Sequence, residues 1–477
     1  MQPQEPNVLI LYASYGDGHY QATKALERSL NLRGISRVKM LDLMAESHPK
    51  LNDLTRFVYM QSYRTIPGLY GLVYNMTKDM KADKPFANIL HAFGTRRLEE
   101  YLKHEQPDVV IHTFPQMVMP KLRRKIGLDI PIVNVLTDFD LHGRWLHPDV
   151  DRFYVATEEM RREAATIGID PDRIAVSGIP IKEGFGPADG EHAVTALVPL
   201  GGAQRQSGAA LTAAAAAGVQ APPAGLPAAS SAAGASPAAS SAAAEPQAFA
   251  AADACAAEAA AADSPQLAGA ASPAAAPLAA ARALRAGEPP VPGVALDPAR
   301  RTVLLMAGAY GVMLGLRRVC DLLLAQDDIQ IVVVCGRNEE MRAGLRQQYA
   351  NTAHIHILGF TDRVASLMRM SDCVVTKPGG ITLAESLACR LPIFLFRPVP
   401  GQERNNAVYL AQRGVAFISR SADELALQIA DLFGDPAKLR RARDRAAELG
   451  HPNASDEIAD DLIARYLSPA AAQELPV

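Results

Sequence analysis

A tract from about residue 190 to residue 296 is dominated by Ala, with Ser, Pro and Gly, and it divides the chain in two. Ala runs favour helix, but Pro and Gly keep interrupting them. The tract holds no Lys, Tyr, Trp or Ile, and apolar residues larger than Ala are too sparse to bury a core. Residues 187–297 therefore read as a disordered low-complexity insert or linker, tolerated because lengthening a loop costs little. Two ordered segments remain, 1–186 and 298–467, followed by a short tail, 468–477. The full 477 residues supply enough apolar material for two cores without disulfide or metal staples.

Both segments alternate short apolar runs with amphipathic helical patterns. In the first, NVLILYA at 7–13 ends at the turn Ser14-Tyr-Gly-Asp-Gly18. A helical pattern follows from His19 to about Arg33, with Ala22, Ala25, Leu26 and Leu30 on one face. Val38–Leu43, Val109–His112, Ile132–Leu136, Arg152–Ala156 and Ile174–Gly178 read as further strands. In the second, Thr302–Met306 runs into Ala307-Gly-Ala-Tyr-Gly311. Ile329–Cys335, His354–Leu358, Cys373–Thr376 and Pro392–Phe396 are strands, and 404–414, 421–434 and 436–449 are helical. Strands alternating with helices predict an α/β fold, two parallel sheets covered on both faces.

Composition removes several function classes. The net charge of −3 argues against a nucleic-acid partner. Five cysteines, none in a C-x-x-C pair, argue against a zinc site or a secreted disulfide framework. No charge-free apolar stretch reaches the ~20 residues a bilayer span needs. The start, Met1-Gln-Pro-Gln-Glu-Pro, lacks the regions of a signal peptide. The expectation is a cytoplasmic protein, at most peripheral on a membrane.

Four stretches carry chemistry. Gly16 and Gly18 after the first strand permit a sharp turn and close ligand approach at a helix start. His19 there is placed for general-base work or for a structural role. The third glycine of a dinucleotide fingerprint is replaced by Gln21, and no acidic residue convincingly ends the second strand, which argues against an NAD oxidoreductase. The second stretch, Val133 to Trp145, runs from a strand into a loop carrying Asp138, Asp140, His142 and the only Trp. Asp138 can assist His19, cap a helix or replace His19 as base; His142 and Trp145 are candidates for the acceptor loop. The third, Cys373 to Leu387, places Lys377, Gly379 and Gly380 at a turn into a helix, a geometry that aims backbone N–H groups at a phosphate. Thr382 and Glu385 there match a capping box, so Glu385 is either a cap or a carboxylate for ribose hydroxyls. The fourth, Arg397 to Asn406, sets Gln402, Glu403 and Asn406 where amides and a carboxylate suit sugar hydroxyls or a solvated loop. Gly308, Gly311, Arg337 and Phe360 complete the candidate donor set.

Taken together, these stretches resemble the glycosyltransferases that build glycosyl-diacylglycerols, the processive diacylglycerol β-glucosyltransferases among them. The residues that carry the likeness include Asn7–Leu26, His112-Thr-Phe-Pro115, Leu136-Thr-Asp-Phe139, Gly178-Ile-Pro-Ile181, Met306-Ala-Gly-Ala309, Val333-Val-Cys-Gly336 and Thr376–Glu385. The first half resembles the monogalactosyldiacylglycerol-synthase type and the second the family 28 C-terminal domain. The resemblance implies a GT-B fold, two Rossmann-like domains facing a cleft. It implies a UDP-sugar donor on the second domain and diacylglycerol, then monoglucosyl-diacylglycerol, on the first. It implies inversion without a bound cofactor or obligatory metal, His19 as base with Asp138 in reserve. Galactose or N-acetylglucosamine in place of glucose, or an added role as nucleotide-sugar sensor, are the alternatives. Because the acceptor stays in a bilayer, residues 51–84 read as an entrance facing an anionic lipid surface, with Phe57, Tyr63, Tyr70 and Tyr74 beside Lys78 and Lys81.

Overall fold

The computed structural model describes residues 5–14, 17–47, 95–115, 118–186 and 291–468, all within one compact unit. The membrane-entrance set Phe57, Tyr63, Tyr70, Tyr74, Lys78 and Lys81, together with Gly16 and insert residues 187–290, lies outside the described residues.

The first sheet contains β1 (Asn7–Tyr12), β2 (Arg37–Asp42), β3 (Val109–His112), β4 (Ile132–Val135), β5 (Arg152–Val155) and β6 (Ile174–Val176). All neighbours are parallel, in the order β2-β1-β3-β4-β5-β6. The second contains β7 (Arg301–Met306), β8 (Ile329–Val334), β9 (Ile355–Leu358), β10 (Cys373–Thr376), β11 (Ile393–Phe396) and β12 (Ala416–Ser419). Its order is β12-β11-β10-β7-β8-β9, again all parallel. Numbered from β7 this is the doubly wound 3-2-1-4-5-6 order. Period-two packing shows why the runs read as continuously apolar. Val8 and Ile10 face one core while Leu9 and Leu11 face another; Val303 and Leu305 separate from Leu304 and Met306 in the same way.

In such sheets the ligand crevice lies beyond the carboxyl ends of the strands where the order reverses. In the first sheet that point is between β1 and β3, in the second between β7 and β10. The start of the helix Asp17–Leu32, which follows β1, and the turn at Pro378–Gly380, which follows β10, belong to those two points, so topology alone sets these candidate residues at the crevices.

Two boundaries differ from the sequence reading. The low-complexity tract was expected to run through 297, but Val291 is buried in the core and Gln330 Nε2 donates to the Asp297 carbonyl at 2.8 Å. Residues 291–297 therefore belong to the second sheet's unit. At the other end, the helix Ala454–Leu462 packs on the first sheet, burying Ile458, Ala459 and Leu462 against Val8, Ile10 and Leu26. Arg33 pairs with Asp456 at 2.7 Å and Arg152 with Asp461 at 2.9 Å. Thus the chain returns from its second half to finish covering the first. Cys320, Cys335, Cys373 and Cys389 are buried and not disulfide-bonded, and burial lets such thiols pack as small apolar groups; Cys255 lies outside the described residues. Among the described residues, no helix is long and apolar enough to cross a membrane.

Candidate active site

His19 lies in the first turn of the helix Asp17–Leu32, directly after the β1 loop. Its Nδ1 is 2.7 Å from the Thr113 carbonyl oxygen. A carbonyl oxygen only accepts, so Nδ1 carries the hydrogen and Nε2 keeps the basic lone pair. The Thr137 hydroxyl stands 3.1 Å from the same nitrogen, and the Phe114 ring meets the imidazole edge-on at 5.0 Å. Burial pushes the imidazole below its ordinary value, while the Asp138 carboxylate and the Thr113 carbonyl draw it back up. The ring is therefore neutral at pH 7, as a base must be.

Thr113 and Thr137 follow the ends of β3 and β4; both lie in stretches that carry the family resemblance, but no role follows for them from the sequence. Position just beyond the strand ends, near the reversal point, is the signal that could assign one. Thr113 also bonds Thr23 at 2.7 Å through the two hydroxyls, which ties the His19 helix to β3.

Thr137 links the base to the other half. A Cβ built on Gly380 would fall 1.9 Å from the Thr137 carbonyl oxygen and 3.0 Å from Asp138 Oδ1. Glycine is required there by close approach, not by backbone conformation. The helix Gly380–Ala388 starts at this contact with Gly379 as its cap, leaving the N–H groups of its first turn unpaired within the helix.

That start overturns the capping-box reading. Thr382 is the third helical residue, and its carbonyl accepts from the Ser386 hydroxyl at 2.7 Å. Glu385 lies a turn further in, and its carboxyl has no hydrogen bond among the described residues. Burial pushes that carboxyl up to about 8, with Lys182 lowering it and Asp17 raising it. It is a half-buried acid held without a cap to serve.

The two halves are joined by the loop after β4 and the helix Gln402–Gln412. Asp138 Oδ1 accepts from Gln402 Nε2 and, at 3.3 Å, from Asn406 Nδ2. The Phe139 N–H donates to Asn406 Oδ1 at 2.9 Å, and Asn405 Nδ2 donates to Asp140 Oδ2 at 2.9 Å. Phe139 stacks on Tyr409 with centroids 5.7 Å apart. Elsewhere, Arg337 reaches Asp17 at 3.6 Å and lies 4.8 Å from the centroid of the exposed Phe360 ring. Both border a groove of about 840 Å³ that Tyr20, Gln21 and Lys24 line from the first half.

The family model described as monogalactosyldiacylglycerol (MGDG) synthase matches residues 19–181, and the one described as glycosyl transferases group 1 matches residues 301–449. The processive diacylglycerol beta-glucosyltransferase of Bacillus cereus (strain ATCC 10987 / NRS 248) is 29% identical over 462 residues, 97% of this chain and 94% of that protein. Relatives of the same name from Bacillus anthracis (strain CDC 684 / NRRL 3495) and Bacillus mycoides (strain KBAB4) share that identity and coverage, 29%, 97% and 94%. Among solved structures, Acinetobacter baumannii MurG has a TM-score of 0.51 at 13% identity, covering 96% of this chain and 99% of its own. An S. aureus MnaA–UDP co-structure gives 0.51 at 11% identity, with coverage of 98% and 99%. The protein is a glycosyltransferase. Its two doubly wound sheets are the GT-B fold that the sequence resemblance implied, and the second half matches group 1 where its motifs read as family 28.

The remaining candidate residues of the glycosyltransferase divide sharply. His142 is buried, and its Nδ1 accepts from the Arg144 N–H at 3.2 Å, so it caps the turn Gly143–Trp145. Trp145 is 2% exposed and belongs to the core, its carbonyl accepting from Asn134. Both side chains are buried. Glu403 is buried and accepts from the Val399 N–H at 3.3 Å, bracing the Pro-rich loop. Asn406 is wholly buried. The sequence suggests Gly311 as an N–H for the leaving group, but that N–H donates to the Gly308 carbonyl at 3.0 Å. The helix after that loop begins only at Leu316. Gly308 (φ 76°) and Gly311 (φ 61°) serve the turn itself, where a Cβ on Gly311 would lie 2.3 Å from the Cys335 carbonyl. A Cβ added at Gly18 would meet Ile381 of the other half at 3.4 Å, ordinary contact distance, and Lys377 is half-buried before the Gly380 helix.

Proposed function

We propose that the protein transfers a hexose, glucose foremost, from a UDP-sugar to 1,2-diacylglycerol with inversion. It repeats the step on the monoglucosyl lipid and works from the cytoplasmic surface of a membrane. The observation that carries this reading is the His19–Thr137–Gly380 contact. A neutral imidazole on the acceptor half stands one residue away from an open helix start on the other half. The shared name of the relatives supports glucose and diacylglycerol. The MGDG-synthase match favours galactose as the second reading.

The chemistry needs one displacement. His19 Nε2 takes the proton of the acceptor hydroxyl as that oxygen bonds to the anomeric carbon. The bond to the diphosphate oxygen breaks, and UDP leaves with the electron pair. The N–H groups at Gly380–Thr382 and the positive helix end oppose the charge that develops. Asp138 and Asp140 share a metal-like spacing, but their carboxylates are engaged by Gln402, Asn405 and Asn406, so no step is assigned to a metal.

Glu385 is the proposed ribose carboxylate. Two hydroxyl donors favour its ionised form, so UDP affinity should rise with pH up to about 8 and level off above it. Glu385→Ala should weaken UDP ~10–100-fold, at ~1.5–3 kcal/mol for a hydrogen bond to a charged group, and abolish that pH dependence. Calorimetric titration with UDP between pH 6.5 and 9 checks both. Unchanged affinity with a lower melting temperature would leave Glu385 a structural acid.

A further inference from the structure

We propose that Asp138 is a positioning residue for donor-sugar recognition, not the base: it sets the amide of Gln402 so that its carbonyl oxygen addresses the sugar. The inference rests on the glycosyl-transfer reading above.

A carboxylate oxygen only accepts. Both Gln402 Nε2 and Asn406 Nδ2 must therefore turn their N–H groups toward Asp138 Oδ1. The opposite flip would set oxygen against oxygen. Gln402 Oε1 is thereby directed away from Asp138. Asn406 differs. Its Oδ1 takes the Phe139 N–H, and its Nδ2 also reaches the Pro378 carbonyl at 3.0 Å. With these bonds and complete burial, Asn406 holds the loop and reads no sugar.

The sugar-reading amide on the donor half thus takes its orientation from a side chain on the acceptor half. A donor would meet a correctly turned Gln402 only when the halves are closed, as they are here. The same geometry argues against a base role. Asp138 is 7% exposed, with one oxygen committed to two amides and lying against the backbone of Gly380.

The test uses the full chain with Asp138→Asn and Asp138→Ala. Calorimetry measures UDP and UDP-glucose separately, and turnover is followed against pH. An Asn side chain still offers an oxygen to Gln402, so Asp138→Asn should stay within a few-fold of the parent in UDP-glucose affinity and turnover. Asp138→Ala should lose ~10-fold or more in UDP-glucose affinity, the worth of an oriented hydrogen bond, while UDP affinity holds. The titratable groups facing Asp138 are His19 and Asp140, and Asp138 is the titratable group facing His19. Removing its negative charge lowers the His19 value, so the acid limb of turnover should persist in Asp138→Asn and move to lower pH. An Asp138→Asn variant as inactive as Asp138→Ala, with the acid limb abolished, would make Asp138 the base and overturn the proposal. Equal weakening of UDP and UDP-glucose, or no weakening of either, would overturn it as well. The binding readout needs no lipid acceptor, so failure of transfer to diacylglycerol would count against the functional reading alone.

Discussion

His19→Ala is expected to lower turnover ~10²–10⁴-fold, the contribution of a positioned general base, while UDP affinity stays at the parent value. The Thr113 carbonyl fixes the tautomer and burial keeps the ring neutral, so the parent should show an acid limb below the ordinary histidine value of 6.5. Turnover should rise with pH through that limb and stay level above it, because only the neutral ring accepts a proton. His19→Ala should lose the limb along with the rate. Steady-state kinetics from pH 5 to 8, paired with UDP titration, checks both. Near-normal turnover in the variant would remove His19 from the chemistry.

Gly380→Ala should be almost as severe although it adds one methyl group. By helix propensity alone the change stabilises a helix interior by ~1 kcal/mol. Here the new Cβ would sit 1.9 Å from the Thr137 carbonyl oxygen, a backbone atom that yields only if the halves part. A misplacement of ~1 Å at a reacting centre can cost ~10²-fold in rate. Turnover should therefore fall by about that factor while the melting temperature drops little. The comparison residue is Gly379, where a Cβ meets nothing within 4 Å, so Gly379→Ala should be far milder. Equal kinetics for the two variants would mean that contact between the halves at Gly380 does not matter to the reaction.

Much of this architecture is legible in the chain because parallel strands buried on both faces read as pure apolar runs. Val109–His112 and Cys373–Thr376 form the strands the runs predict, and the helix Pro436–Leu449 has the bounds its pattern predicts. The edge strand Ala416–Ser419 is not legible because it is half-exposed and so lacks a continuous apolar run. The helix Ala454–Leu462 is rich in acids, and its partners Arg33 and Arg152 lie far back in the sequence, so nothing local reveals that it closes the first sheet.

The site divides along similar lines. His19, Gly380 and Glu385 are legible as residues at strand-to-helix turns. The surroundings of Gly311, Trp145 and Asn406 differ from what spacing alone suggests, because spacing does not show where a helix starts, which N–H a turn consumes or which side chain the core takes in. Thr382 matched a cap motif, yet the helix begins two residues earlier at Gly380. Asn406 suits a sugar hydroxyl because it carries an amide, but its partners are Asp138 and Phe139 on a loop of the other half and the Pro378 carbonyl in its own. Trp145 was read by its rarity, whereas its large apolar surface fills the core beneath the loop.

The most direct test of the central claim is sugar transfer itself. The full chain is incubated with 1,2-diacylglycerol in vesicles and UDP-glucose, UDP-galactose or UDP-N-acetylglucosamine in turn, and the lipids are resolved by mass spectrometry and by the anomeric proton coupling. The expected product is a hexosyl-diacylglycerol with β configuration, formed foremost from UDP-glucose, followed by a dihexosyl product, with both absent for His19→Ala. An α-linked product, or no lipid glycoside from any of the three donors by a folded protein that binds UDP, would contradict it.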